Sequence, residues 1–214
     1  MTPATIDRKA LAAGLVELGL CADQRVLDGF EAYAGLLLKW NKVYNLTAIR
    51  RPEEVLTHHL LDSAALAPAL GKFAPDADAV LDVGCGGGLP SVPLALLLPQ
   101  VTVTGVDAVG KKAAFVNQAA IELGLKNLSA RHARIEKVSG AWGVITSRAF
   151  ASLVDFTRLT RHLLAPGGRW LAMKGVVPED EITALPEGIK VHHIEKLVVP
   201  GLDEERHLIV LGAE

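Results

Sequence analysis

The segment Val80-Leu-Asp-Val-Gly-Cys-Gly-Gly-Gly-Leu89 constrains this chain more than any other stretch: an apolar strand runs straight into a glycine loop that opens a helix. Glycine has no Cβ, so backbone there can approach a ligand closely, and the N-terminus of the following helix offers unpaired N–H groups to a polar moiety. A tight turn that binds nothing is the alternative. A dinucleotide site requires G-x-G-x-x-G or a final Ala. Counting from Gly84, the sixth position is Leu89, and from Gly86 it is Ser91, so both frames fail and an NAD-dependent oxidoreductase is disfavoured.

Around this loop the chain divides in two. From about Ile6 to Leu70 the apolar spacing is helical, with Leu36, Leu37 and Trp40 at helical steps and no short alternating strand. From Val80 onward, short apolar runs alternate with glycines and helical stretches, the pattern of a parallel sheet wrapped by helices. Five strands are expected in order at Ala79–Val83, Val101–Val106, Asn127–Arg131, Val144–Ser147 and Arg169–Met173. Val116, Ala119, Ala120 and Leu123 mark a crossover helix that Gly124 ends, and a second should run from about Leu153 to Leu164. Pro166, Gly167 and Gly168 turn the chain into the fifth strand. Glu179–Glu181 open a short helix after Pro178, and Lys190–Val199 with Arg206–Leu211 form a closing hairpin. The reading is α/β, a Rossmann-like, mostly parallel seven-stranded sheet with helices on both faces. The whole chain forms one domain, residues 1–70 being a helical N-terminal extension and 71–214 a cofactor-binding core.

The loop pattern is Asp82-x-Gly84-x-Gly86-x-Gly88, which resembles the first motif of class I methyltransferases. Asp107 follows the second expected strand, 19 residues beyond Gly88. A carboxylate there can accept both hydroxyls of a ribose, which indicates a nucleoside without identifying it, or it can cap the next helix. Ala133-Arg-Ile-Glu136 follows the third strand, where residues flank an adenine in that class; Glu136 also reads as a solvated carboxylate at a helix start. Leu164-Ala-Pro-Gly-Gly-Arg-Trp170 resembles the turn before the fifth strand.

Nearly the full length resembles one family, the bacterial 16S ribosomal RNA guanine-N7 methyltransferases (RsmG, also called GidB). The specific segments are Lys39-Trp-Asn-Lys-Val-Tyr-Asn-Leu-Thr47, His58-His-Leu-Leu-Asp-Ser63, Leu81-Asp-Val-Gly84 with Gly86, Gly88-Leu-Pro90, Ser147-Arg-Ala-Phe-Ala-Ser152, Met173-Lys-Gly175 and Pro200-Gly-Leu-Asp-Glu-Glu-Arg-His207. The resemblance implies a methyltransferase using S-adenosyl-L-methionine on N7 of a guanine in the 530 loop of 16S ribosomal RNA. It also implies that Gly84, Leu89, Ile135, Glu136 and Arg148 lie against the cofactor. A small-molecule methyltransferase and a non-catalytic RNA-binding assembly factor are the rival functions.

Arg148 and Phe150 follow the fourth strand, the edge where class I methyltransferases meet the acceptor. Arginine offers planar donors to phosphate and a Phe ring can stack on a base, although a salt bridge and a core ring are the plainer roles. Lys39, Lys42, Arg50 and Arg51 lie near Trp40 and Tyr44, and read either as an RNA-tracking patch or as a solvated helix face. The net charge of -2 excludes binding by bulk positive charge, so RNA must be gripped locally, and a structured small-subunit particle is the favoured partner. Cys21 and Cys85 have no disulfide or zinc spacing, and His58 and His59 are adjacent, so no metal is assigned. Without a signal peptide or a run long enough to cross a bilayer, the expected place is the cytoplasm; the oligomeric state stays open.

Overall fold

The computed structural model describes residues 6–214, so the first five residues of the expected helical extension lie outside the described residues. Two helices open the chain. α1 (Arg8–Glu17) is capped by the Asp7 carboxylate, which accepts from Lys9 and Ala10 N–H, and α2 (Gln24–Tyr44) by Asp23, which accepts from Val26 N–H. α2 stops at Asn45, whose left-handed φ of 49° breaks the helical repeat. Next, α3 (Pro52–Glu54), a π-wound stretch (Val55–Leu61) and α4 (Asp62–Ala64) run on continuously, followed by α5 (Leu66–Phe73). The π winding lies in the segment that carries His58, His59 and, at its end, Asp62; such widened turns occur frequently at functional sites.

The remainder alternates strands and helices: β1 (Ala79–Val83), α6 (Ser91–Leu97), β2 (Thr102–Asp107), α7 (Gly110–Glu122), β3 (Leu128–His132), β4 (Trp142–Arg148), α8 (Leu153–Thr160), β5 (Leu164–Lys174), α9 (Glu179–Thr183), β6 (Ile189–Lys196) and β7 (His207–Ala213). One seven-stranded sheet has the order β3-β2-β1-β4-β5-β7-β6. Its first five strands are parallel, while β7 runs antiparallel between β5 and β6. All seven expected strands are present, with two revisions. The Pro166–Gly168 turn does not precede β5 but lies inside it: Leu164 pairs with Trp142, then Arg169 pairs with Val144, and the residues between bulge out with Gly167 at φ +73°. β6 ends at Lys196 instead of Val199, just before the chain turns through Pro200 and Gly201.

Alternation along the strands divides the core. Val80, Val144, Leu171 and Val210 join one buried cluster with Leu11 and Leu15 of α1, Phe30 and Leu37 of α2, and Phe115 of α7. Leu81, Ile145, Trp170 and Ile209 join the other, with Leu153 and Phe156 of α8. The N-terminal helices thus form part of a layer on the sheet, and burying side chains such as Phe30 and Leu37 contributes about 1.5–3 kcal/mol each. Among the described residues no helix is long and apolar enough to cross a membrane. The strand order reverses between β1 and β4, so the loops leaving those strands part at their carboxyl ends and open the crevice where open α/β sheets hold ligands.

Candidate active site

The loop leaving β1 is held in place from below. Gly84 and Cys85 N–H donate to Val106 O, Gly86 N–H donates to Asp107 Oδ2 at 2.9 Å, and the buried Tyr33 hydroxyl donates to Gly87 O at 2.5 Å. Gly84 has φ +72°, and a Cβ there would stand 2.7 Å from Phe150 Cδ2. Gly88 has φ +83° and faces inward, where a Cβ would stand 2.6 Å from Val92 Cγ2. Asp82 is wholly buried beneath the loop. Its Oδ2 accepts from Ser91 N–H at 3.2 Å and from the Ser91 hydroxyl, while Oδ1 has no hydrogen-bond partner. Burial raises this carboxyl to about 6, against the opposing pull of the Ser91 hydrogen bonds.

Two adjoining clefts open above the loop, with Gly84, Lys112 and Ala149 lining both. The smaller, of about 370 Å³, is lined by Asp107, Ile135, Glu136 and Phe150. The larger, of about 510 Å³, is lined by Gly86, Leu89, His58, His59, Asp62, Arg148, Lys174 and Arg206, among others. Of the expected cofactor residues, Gly84, Gly86, Leu89, Asp107, Ile135, Glu136 and Arg148 line one cleft or the other, and Gly88 sets the path of the loop from behind. Arg148 and Phe150, expected together on the acceptor side, part company. Ala149 between them has φ +53°, a conformation that residues other than Gly rarely adopt. Arg148 enters the larger cleft, whereas Phe150 packs over Gly84 in the smaller one and edge-on to Phe156 at 6.4 Å.

The chemistry of the lining fits S-adenosylmethionine. The smaller cleft combines apolar walls at Ile135 and Phe150 with the carboxylates of Asp107 and Glu136 and the cations of Lys112 and Arg134, suited to a nucleoside. Asp107 Oδ2 takes Gly86 N–H and Oδ1 takes Val109 N–H at 2.8 Å, so Asp107 caps backbone, yet each oxygen keeps a further lone pair for a hydroxyl. Asp107→Ala should therefore lower stability and cofactor affinity together, each by about 1.5–3 kcal/mol for lost hydrogen bonds to a charged group. Thermal melts and calorimetric titration with S-adenosylhomocysteine check this; unchanged affinity would leave Asp107 as a cap alone.

The larger cleft is cationic. Arg148 Nη1 donates to His58 O and to Asp62 Oδ2, both at 2.8 Å, and Arg206 Nε donates to Asp62 Oδ1 at 3.1 Å. Behind them His59 Nε2 meets Thr47 Oγ1 at 2.6 Å, and Nδ1 lies 3.0 Å from His58 O. Burial, aided by the neighbouring Arg148 charge, pushes His59 down to about 4, so its ring is neutral near pH 7. Lys174 Nζ donates to Ala151 O and pairs with Glu181, tying down the segment after β4.

Lys39 and Lys42 are exposed on the last turns of α2, and Arg50 is exposed in the loop that follows, donating to Asn45 Oδ1 at 3.1 Å. Arg51 is exposed and paired with Glu54 at 2.6 Å. Trp40 packs into the core, 5.4 Å from Phe115, leaving Tyr44 as the exposed ring beside it. The loop is pinned by Asn41, whose side chain donates to Ile49 O and accepts from Thr47 N–H, and Leu46, Thr47 and Ile49 line the larger cleft. Sequence reasoning assigned no role to Asp62, His59, Lys174 or Arg206. The segments that carry them were conspicuous, but nothing in the sequence says that Asp62 meets partners 86 and 144 residues away.

Comparison with known proteins agrees with this architecture. The family model for rRNA small subunit methyltransferase G, GidB, matches residues 27–209. The chain is 55 % identical over 211 residues to ribosomal RNA small subunit methyltransferase G of Ralstonia nicotianae, covering 96 % of this chain and 95 % of that one. It is 53 % identical to the protein of the same name from Leptothrix cholodnii, over 95 % and 94 % of the two chains. Among solved structures it resembles TrmN from Thermus thermophilus with TM-score 0.58 at 23 % identity, over 74 % of this chain and 53 % of that one. It also resembles the glycopeptide N-methyltransferase MtfA complexed with sinefungin, with TM-score 0.61 at 12 % identity, over 72 % and 87 %. These likenesses, with the strand order, make the fold that of class I methyltransferases. The chain belongs to the rRNA small subunit methyltransferase G family, GidB.

Proposed function

We propose that this protein transfers a methyl group from S-adenosylmethionine to N7 of a guanine in the 530 loop of 16S ribosomal RNA, acting on a small-subunit particle in the cytoplasm. The observation that carries the reading is the pair of clefts sharing a wall at Gly84 and Ala149, one largely apolar with two carboxylates and two cations balanced on its rim, the other with an excess of cations. The cofactor, when bound, supplies an electrophilic sulfonium methyl. Gly84 and Gly86 let it approach the backbone, Gly88 sets the loop path, and Asp107, Glu136, Ile135 and Phe150 surround its nucleoside. Leu89 and Arg148 border it from the larger cleft, which takes the acceptor.

Guanine N7 carries a lone pair and no proton, so the chain need only align reactants and keep water out. The site agrees with this. Of the two buried histidines that line the larger cleft, His59 is neutral with both ring nitrogens already engaged and His207 Nδ1 meets Gly175 O, and both oxygens of Asp62 hold arginines. Residues 1–70 and 71–214 work as one domain, the N-terminal helices supplying the wall at Leu46–Ile49 and the basic end of α2. With a net charge of -2, long-range attraction to RNA is weak, and recognition falls to local groups at Lys39, Lys42, Arg50 and Arg51 and to the shape of the particle.

Tritiated-methyl transfer tests the reading, with small-subunit particles, protein-free 16S RNA and small-molecule acceptors offered in parallel. Label should enter the RNA of the particles. Label in ribosomal protein or small molecules, or no transfer at all, would overturn it. Lys39→Ala with Lys42→Ala should flatten the salt dependence of particle binding by about two units of slope, one for each lost phosphate contact, while cofactor affinity is unchanged. An unchanged slope would return both lysines to a solvated helix face.

A further inference from the structure

Asp62 stands where three distant parts of the chain meet. It follows directly on the π-wound stretch of the N-terminal layer, and its partners are Arg148, at the end of β4, and Arg206, just before β7. Its side chain is only 4 % exposed, while those of Arg148 and Arg206 are 19 % and 21 % exposed and line the larger cleft. Among the described residues it is the one carboxylate that lines this cleft, against Lys112, Arg148, Lys174 and Arg206. Each of its oxygens holds one guanidinium: Oδ2 takes Arg148 Nη1 and Oδ1 takes Arg206 Nε.

We infer that Asp62 is a positioning residue for the acceptor: it fixes the guanidinium groups of Arg148 and Arg206 on one wall of the larger cleft, where they receive a phosphate of the acceptor nucleotide. This rests on the function proposed above and names which chain groups seat the RNA. A guanidinium has five N–H donors, and the contacts to Asp62, His58 O, His59 Nδ1 and Glu205 O leave several of them available on the two arginines. Planar forks of this kind match phosphate oxygens, but two of them side by side repel each other and swing apart unless an anion lies between. Asp62 supplies that anion from inside the protein. One negative and two positive charges leave a net positive charge of one at the spot, enough to attract a phosphate without gripping the strand so hard that the base is held off the shared wall at Gly84 and Ala149.

The test compares wild type, Asp62→Asn, and Asp62→Asn combined with Arg206→Gln. Each is measured by single-turnover methyl transfer at saturating small-subunit particles, by particle affinity across a salt series, and by calorimetric titration with S-adenosylhomocysteine. Asn keeps the size and one acceptor but removes the charge. Asp62→Asn should weaken S-adenosylhomocysteine binding by at most a few-fold, since Arg148 only borders the cofactor, yet transfer methyl about 10²-fold more slowly, the size of effect that a misplacement of about 1 Å produces. Its particle affinity should be equal or tighter with a steeper salt dependence, because the spot now carries two uncompensated cations. The double variant restores the net charge but not the pair of forks, so its salt slope should return to the wild-type value while its rate stays low. An unchanged rate overturns the inference. So does a loss of S-adenosylhomocysteine affinity as large as the loss of rate without a steeper slope, which is the signature of a packing role. The wild-type arm reports separately on the proposed function: if wild type methylates no RNA, that reading fails, and the salt slopes of the variants still decide whether Asp62 tempers the two arginines.

Discussion

Gly84→Ala should weaken S-adenosylhomocysteine binding by about tenfold to a hundredfold, the cost of roughly 1–2 kcal/mol for a left-handed conformation plus displacement of a packed ring. Residue 84 has φ +72°, and its new Cβ would stand 2.7 Å from Phe150 Cδ2. Phe150 has little freedom to retreat, because its other side meets Phe156. The added methyl would therefore push the ring into the smaller cleft or the loop into the larger one. Gly35→Ala is the matching control: Gly35 lies within α2, nothing stands within 4 Å of its Cβ position, and the substitution should leave binding unchanged while stabilising the helix by about 0.5–1 kcal/mol. Calorimetry on both variants settles the point. Wild-type affinity in Gly84→Ala would mean that the cofactor does not use this loop.

Asp82 and His59 should make opposite contributions to stability between about pH 4 and 6.5, each of about 3 kcal/mol at one shifted pKa unit per 1.36 kcal/mol. Burial raises the Asp82 carboxyl from 3.8 to about 6. The folded state then holds its proton where the unfolded chain has lost it, so this contribution is full below about pH 4 and is lost as pH rises through 6. Burial and Arg148 lower His59 from 6.5 to about 4. Here the unfolded chain takes up a proton first, so the contribution is full above 6.5 and is lost as pH falls through 4. The two slopes nearly cancel in the wild type, and single substitutions uncover them. Relative to wild type, Asp82→Asn should gain stability with rising pH across this window, and His59→Gln should lose it. Groups common to all three proteins drop out of the difference. Urea unfolding at pH 4.5, 5.5 and 6.5 measures it, and parallel curves for the three proteins would contradict the assignment.

The parts of this molecule that sequence reveals are those written in local spacing. The five parallel strands, the glycine loop, the crossover helix ended by Gly124 and the acidic start of α9 follow from apolar period and breaker residues within windows of a few residues. The bulge in β5 was less legible, because Pro166-Gly167-Gly168 has the composition of a turn and only pairing with β4 keeps it in the strand. The site divided in the same way. Gly84, Gly86 and Asp107 lie at strand ends, where their chemistry can be read from position. Phe150 was expected beside Arg148 because adjacent residues usually share a site, and the left-handed turn at Ala149 that sends the two into different clefts leaves no mark in composition. Asp62, in turn, depends on pairings across the whole chain, and an isolated Asp in a helical stretch resembles any other.

The proposed activity leaves a methyl group at N7 of one guanine of 16S ribosomal RNA. N7 methylation labilises the glycosidic bond, so borohydride and aniline cleave the strand at that nucleotide and primer extension maps the break. RNA from small-subunit particles incubated with the protein and S-adenosylmethionine should show a single new stop, at one guanine in the 530 loop, that is absent without the methyl donor. Label found instead on cytosine, adenine or ribosomal protein, or stops at guanines scattered through the molecule, would contradict it.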